Sequence, residues 1–76
     1  MMVTAFLRTP LFVLTGPDRH APEGVSAVVG QVVSREGGVT MRVTRWLDGR
    51  GRELEGPSQT LFLPAAKLDH VWHHEA

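Results

Sequence analysis

Three histidines, His70, His73 and His74, fall within five residues near the end of the chain. Imidazoles four apart on a helix share one face and can chelate a metal, so His70 and His74 would form half a site if the tail were helical. On a strand the same pair stands about 13 Å apart, because each residue advances about 3.3 Å, and one copy cannot then hold one ion with both. No His-Glu-x-x-His spacing accompanies them. The first reading is therefore a solvated, titratable chain end with no metal site and no cofactor; a metal-binding protein using these histidines is an alternative.

A second group is basic. Between Arg35 and Arg52 there are five arginines, Arg35, Arg42, Arg45, Arg50 and Arg52, against the two acids Glu36 and Asp48. Strict alternation along the segment puts Arg42 and Trp46 on the same face, where a guanidinium beside an indole can stack a base while neighbours touch phosphate. This makes Arg35, Arg42, Trp46, Arg50 and Arg52 the candidate RNA contacts. The competing reading has Trp46 covered and the arginines solvating an outer sheet face. Eight basic residues balance eight acidic ones. With no net charge to supply affinity for phosphate, RNA binding at such a hairpin is expected to be weak and electrostatic.

Catalytic arrangements fail on residue type or spacing. The chain has no Cys, which removes thiol nucleophiles, disulfides and thiolate-ligated metals. Ser26, in Gly24-Val25-Ser26-Ala27-Val28, lacks the closing glycine of a nucleophile elbow. Gly49-x-Gly51 is followed by Leu54 where a dinucleotide fingerprint needs its third glycine, and the single lysine, Lys67, follows no phosphate-cradling loop. The expectation is a protein that is not an enzyme.

The elements that would position these residues belong to one small domain, residues 1–76. The 76 residues are 42% hydrophobic and 21% charged, a composition that folds. A domain of this size buries only about 60–65% of its unfolded surface, so its core is thin. Without disulfides to compensate, self-association through a strand edge or the apolar N-terminal arm is expected. Arg8 and Pro10 divide that arm and no basic region precedes it, so it reads neither as a signal peptide nor as a membrane span, and the expected location is cytoplasmic.

Residues 3–8 are ambiguous between a short helix and an extended arm, and Leu11–Thr15, behind Pro10, reads as the first strand. Gly16–Gly24 is a loop with two prolines. Val25–Ser34 is a valine-rich strand with Gly30 in its middle, which implies a bend or bulge there. Arg35-Glu36-Gly37-Gly38 is a hairpin turn. Val39–Leu47 alternates cleanly except at Arg45, which breaks the pattern. Asp48–Gly51 is another turn, Arg52–Glu55 extends the hairpin, and Gln59–Leu63 is a fourth strand stopped by Pro64. The tail 64–74 reads either as a short helix or as a one-turn connector followed by a last strand, Leu68–Trp72.

Short strands in this order, with a long first loop, a glycine-bent second strand and a one-turn connector before the last strand, resemble the small β-barrels of the Sm-like and Src-homology type. The likeness lies in element order over residues 11–74. The RNA-reading Asn of Sm loops has no counterpart in Arg35-Glu36-Gly37-Gly38-Val39-Thr40-Met41, and Leu63-Pro64-Ala65-Ala66-Lys67 stands where the Ile-Arg-Gly turn would be. What the resemblance implies is the fold and edge-to-edge assembly. The expected fold is mostly β, a small bent five-stranded antiparallel sheet or barrel with a short C-terminal helix as the variant ending. The expected function is a non-catalytic binding or assembly module of unidentified ligand, homo-oligomeric, with a weak Sm-like RNA-binding protein as the alternative besides metal binding.

Overall fold

A computed structural model of the chain describes residues 2–11 and 24–74. Its strands are β1 (Met2–Leu11), β2 (Val25–Ser34), β3 (Gly38–Leu47), β4 (Glu53–Leu54), β5 (Gln59–Pro64) and β6 (Leu68–His73), with a 3-10 turn at Ala65–Lys67 between the last two. They form one antiparallel sheet in the order β4-β3-β2-β1-β6, and β5 lies beside β4 along the same edge of β3. Among the described residues β5 and β6 do not pair, so the sheet is bent but not closed. The sequence-based expectation of a mostly-β, bent antiparallel sheet is met; β4 adds a two-residue sixth strand where the chain continues the hairpin.

Period-two alternation decides which side is core. On β1 and β2 the pairs Val3↔Gly30 and Ala5↔Val28 face inward, and β3 adds Met41, Val43 and Trp46. Leu63 of β5 closes the cluster, with Leu61, Leu68 and Val71 packed at its margins. On β3 these side chains alternate with exposed neighbours up to Thr44, whereas on β1 and β2 the intervening Thr4, Ala27 and Val29 are buried as well, so the centre of the sheet is covered on both faces.

Gly30 marks the sharpest departure from regular pairing. The register of β2 against β3 shifts between Val29↔Arg45 and Gly30↔Val43, leaving Thr44 as an extra residue on β3. A Cβ built on Gly30 would strike the Arg42 carbonyl group and lie 2.9 Å from the Val43 Cα. Only glycine lets β3 cross so close. The Thr44 bulge also reverses the alternation of β3. Arg42 and Thr44 face solvent before it, Arg45 faces solvent after it, and Trp46 turns into the core with no exposed surface. The expected common face for Arg42 and Trp46 is therefore corrected: the break at Arg45 is the signature of the bulge, and it moves Trp46 to the other side of the sheet.

The first strand also lies earlier than the sequence suggests. β1 begins at Met2 and ends at Leu11, whereas residues 12–15 of the expected strand, and residues 16–23 of the expected loop, lie outside the described residues. Alternation is present in β1, with Val3, Ala5 and Leu7 inward, but Phe6 on the outer face and the small Ala5 inside blur it. Pro10 sits where the pairing with β2 is irregular, between Phe6 and Leu11, so its missing N–H breaks no ladder. The N-terminal arm is not a free apolar segment; it is paired on both sides, by β2 and β6.

The tail adopts the strand ending. β6 pairs with β1 through Val3↔His73, Thr4↔Trp72, Ala5↔Val71 and Phe6↔His70, satisfying a row of β1 backbone groups that a helix would leave bare. The one-turn connector is the 3-10 turn Ala65–Lys67, and the alternative of a short C-terminal helix is not adopted. Arg8 Nε donates to the Leu68 carbonyl at 2.8 Å, and Lys67 Nζ donates to Thr9 Oγ1 at 2.7 Å and to the Pro10 carbonyl at 3.2 Å, tying this turn to the end of β1. Among the described residues no helix is long and apolar enough to cross a membrane.

Candidate functional site

The five RNA-contact candidates do not form one patch. Arg35 lies in the β2–β3 turn, Arg50 and Arg52 lie in the β3–β4 turn, and the ten residues of β3 separate the two groups. At about 3.3 Å per residue that is about 30 Å of strand. Arg42 alone stands between them, exposed on the outer face. Trp46 is in the core, where its indole Nε1 donates to the Pro57 carbonyl at 2.9 Å. It cannot stack a base without opening the fold.

The second arginine turn is organised by a carboxylate. Asp48 Oδ1 accepts the backbone N–H groups of Arg50 and Arg52, both at 2.9 Å, and Oδ2 accepts the Arg52 guanidinium at 3.0 Å. The Arg52 N–H leads the causes that hold the Asp48 carboxyl below its ordinary range; desolvation opposes it, and the Arg50 N–H and the Arg52 guanidinium tip the balance further down. Half of this turn's positive charge is thus spoken for internally.

The histidine tail, being a strand, keeps its imidazoles apart. His70 and His74 are four residues distant, about 13 Å, and each has its own partner. His70 Nδ1 is hydrogen-bonded to Asp69 Oδ2 at 2.9 Å, and His74 Nε2 to the hydroxyl of the buried Thr4 at 2.6 Å. His73 takes the intervening position, opposite Val3 and on the other side of the strand. Among the described residues no three metal-ligating side chains converge. Ser26 is no closer to a nucleophile's setting, because the whole of β1 separates β2 from β6 and its histidines.

Cross-strand pairing assembles a different surface. Residues directly opposite in a sheet share a side. One row of the outer face therefore runs Trp72, Thr4, Val29, Arg45 across β6, β1, β2 and β3; the next runs His70, Phe6, Ala27, Leu47 and reaches Glu53 on β4; a third runs Met2, Gln31, Arg42, Thr60. Phe6 and His70 stack with centroids 4.3 Å apart and planes at 17°. Trp72 meets Phe6 edge-on, at 6.2 Å and 71°, and is 67% exposed. At the opposite margin of the sheet Phe62, on β5, is 50% exposed. Both large aromatics ride on strands paired on one side only among the described residues.

Sequence reasoning misses this surface because it depends on β1 meeting β6 across most of the chain. The signal that was present is alternation: His70, Trp72 and His74 share a face once the tail is extended. Trp72 reads as an apolar helix position only if the tail is helical. No protein family, curated protein or solved structure matches the chain.

Proposed function

We propose that the chain is a non-catalytic, cytoplasmic binding and assembly module that covers its open sheet edges with further copies of itself. The observation that carries this reading is the pair of edge strands, β5 and β6, six residues each, standing at opposite margins of an unclosed sheet. An edge strand presents a row of unpaired N–H and C=O groups, and monomeric proteins guard such rows with charges, bulges or coverings. β5, Gln-Thr-Leu-Phe-Leu-Pro, carries no charge at all, and β6 carries only Asp69 besides its histidines. Neither edge is guarded by lysine.

Antiparallel pairing of β5 in one copy with β6 in the next is a head-to-tail contact, which closes into a ring when the rotation per copy permits. Phe62 and Trp72 would then lose their exposure together, since both face outward from neighbouring strands. The strand order, the bend at Gly30 and the short turn before β6 support a small barrel of the Sm-like or Src-homology type. Sedimentation equilibrium at micromolar concentration tests the reading. A defined multiple of the chain mass is expected, reduced by Phe62→Lys; a species of one chain mass at every concentration contradicts it.

A further inference from the structure

The two edge strands run in the same direction. Every step along the path β5-β3-β2-β1-β6 is antiparallel, and an even number of such steps restores the direction of the first strand. Two copies laid edge to edge with the same face up would therefore pair β5 with β6 in parallel. An antiparallel joint needs the second copy turned over, so that its outer face continues the inner face of the first.

This inversion decides which side chains meet, because residues directly opposite across a pair share a side. On β5, Phe62 stands opposite Thr40 and faces out, while Leu61 stands opposite the fully buried Met41 and faces in. On β6, Trp72 stands opposite the outward Thr4, while Val71 stands opposite the fully buried Ala5 and faces in. Across a turned-over joint the outward Phe62 of one copy meets an inward residue of β6 in the next, and the outward Trp72 of that copy meets an inward residue of β5.

The backbone agrees with this parity. His74 N–H donates to the Met2 carbonyl at 2.9 Å, so His74, Trp72 and His70 direct their backbone groups at β1 and those of Val71 and His73 point to the free edge. In strands of one direction, side-chain face and hydrogen-bonding side are locked together by chirality. β3 lies on the opposite flank of β5 from the one β1 takes on β6, so the outward Thr60 and Phe62 present their N–H and C=O groups to the free edge of β5. The register that satisfies both rows sets Thr60 opposite His73, Leu61 opposite Trp72 and Phe62 opposite Val71. Sliding it by two residues places Phe62 against Asp69 one way and Trp72 against Leu63 the other, and Leu63 is already buried within its own copy.

We propose that self-association through β5 and β6 turns successive copies over, so that Phe62 of one copy caps the core margin of the next at Val71 and the next copy's Trp72 caps that of the first at Leu61. Leu61 and Val71 are half-buried at the edge of the core, and Phe62 and Trp72 are the two exposed aromatics of the edge strands. One joint thus covers both aromatics with apolar side chains and closes both margins. Pairing β5 with β5 would leave Trp72 exposed, and pairing β6 with β6 would leave Phe62 exposed. The inference rests on the assembly reading above and adds to it the orientation and register of the joint.

Cross-linking between cysteines placed in the intact, naturally Cys-free chain tests it. Hydrogen-bonded partners in an antiparallel pair have Cα atoms about 5.5 Å apart, within disulfide reach. An equimolar mixture of Thr60→Cys and His73→Cys chains, mildly oxidised, is expected to give a covalent two-chain species that neither variant forms alone. Thr60→Cys mixed with Trp72→Cys should give far less of it, since those side chains point to opposite sides of the joint. The proposal is overturned if the second mixture cross-links better than the first, if Thr60→Cys alone cross-links through a β5–β5 joint, or if His73→Cys alone does so through a β6–β6 joint. Sedimentation of the same chains separates the two levels. A multimer without the Thr60–His73 cross-link refutes the turned-over joint and leaves assembly standing, whereas a single chain mass at every concentration removes both.

Discussion

The indole of Trp46 and the carbonyl of Pro57 are joined by a 2.9 Å hydrogen bond, so the largest side chain of the core also fastens the segment that follows β4. Trp46 reaches that position only because Thr44 bulges out of β3. Trp46→Ala should therefore cost about 3–5 kcal/mol of stability, in the range of large aromatic truncations, and Trp46→Phe about 1–2 kcal/mol, chiefly from the unpaired carbonyl. Urea unfolding followed by circular dichroism measures both. A Trp46→Ala variant as stable as wild type would place this indole outside the core.

Gly30 is the counterpart of the same bulge. A methyl at this position strikes the Arg42 carbonyl group, and both partners are backbone, so neither can swing away. Gly30→Ala is expected to destabilise the fold by about 1–3 kcal/mol or to shift the β2–β3 register, despite the usual gain from replacing a glycine in a strand. Thermal unfolding reads the first outcome. An unchanged or raised melting temperature would contradict the close crossing.

Much of this architecture is legible in the residues. The valine-rich β2, the glycine turn at Gly37-Gly38 and the alternation of β3 follow from local preferences, and Arg45 out of phase on β3 already announces the bulge. What local pattern cannot supply is partnership between distant segments. Whether residues 68–73 coil or extend is settled by the bare edge of β1, which gains a ladder from a strand and nothing from a helix. The candidate site was hidden for the same reason: Phe6, His70 and Trp72 become neighbours only through that pairing, while Arg42 and Trp46, four apart in sequence, are separated by one inserted residue.

Asp48 gives the fold a pH dependence of defined sign. Its carboxyl titrates below the ordinary range, owing first to the Arg52 N–H, so the stabilisation it contributes is present above the unfolded-state value of about 3.9 and is lost as pH falls through the folded-state value. The stability difference between wild type and Asp48→Asn should be constant above about pH 5 and shrink below about pH 4. Unfolding curves across that range measure it. A difference that grows on acidification would contradict the assignment.

The strand geometry of the tail also fixes what the histidines can hold. With His70 and His74 about 13 Å apart and each engaged with its own partner, a single copy should not retain a stoichiometric transition metal. Elemental analysis of untagged protein is the check. About one zinc, nickel or copper per chain, lost on His70→Ala, would overturn this and bring the histidines together across copies or in another fold.

The most direct test of assembly through the open margins is amide hydrogen exchange at two protein concentrations. Amides of β5 (Gln59–Pro64) and β6 (Leu68–His73) are expected to exchange more slowly at high concentration, when the outward row of each edge is paired with a neighbour, while the interior strand β2 is unaffected. Edge-strand rates that are fast and independent of concentration would contradict it.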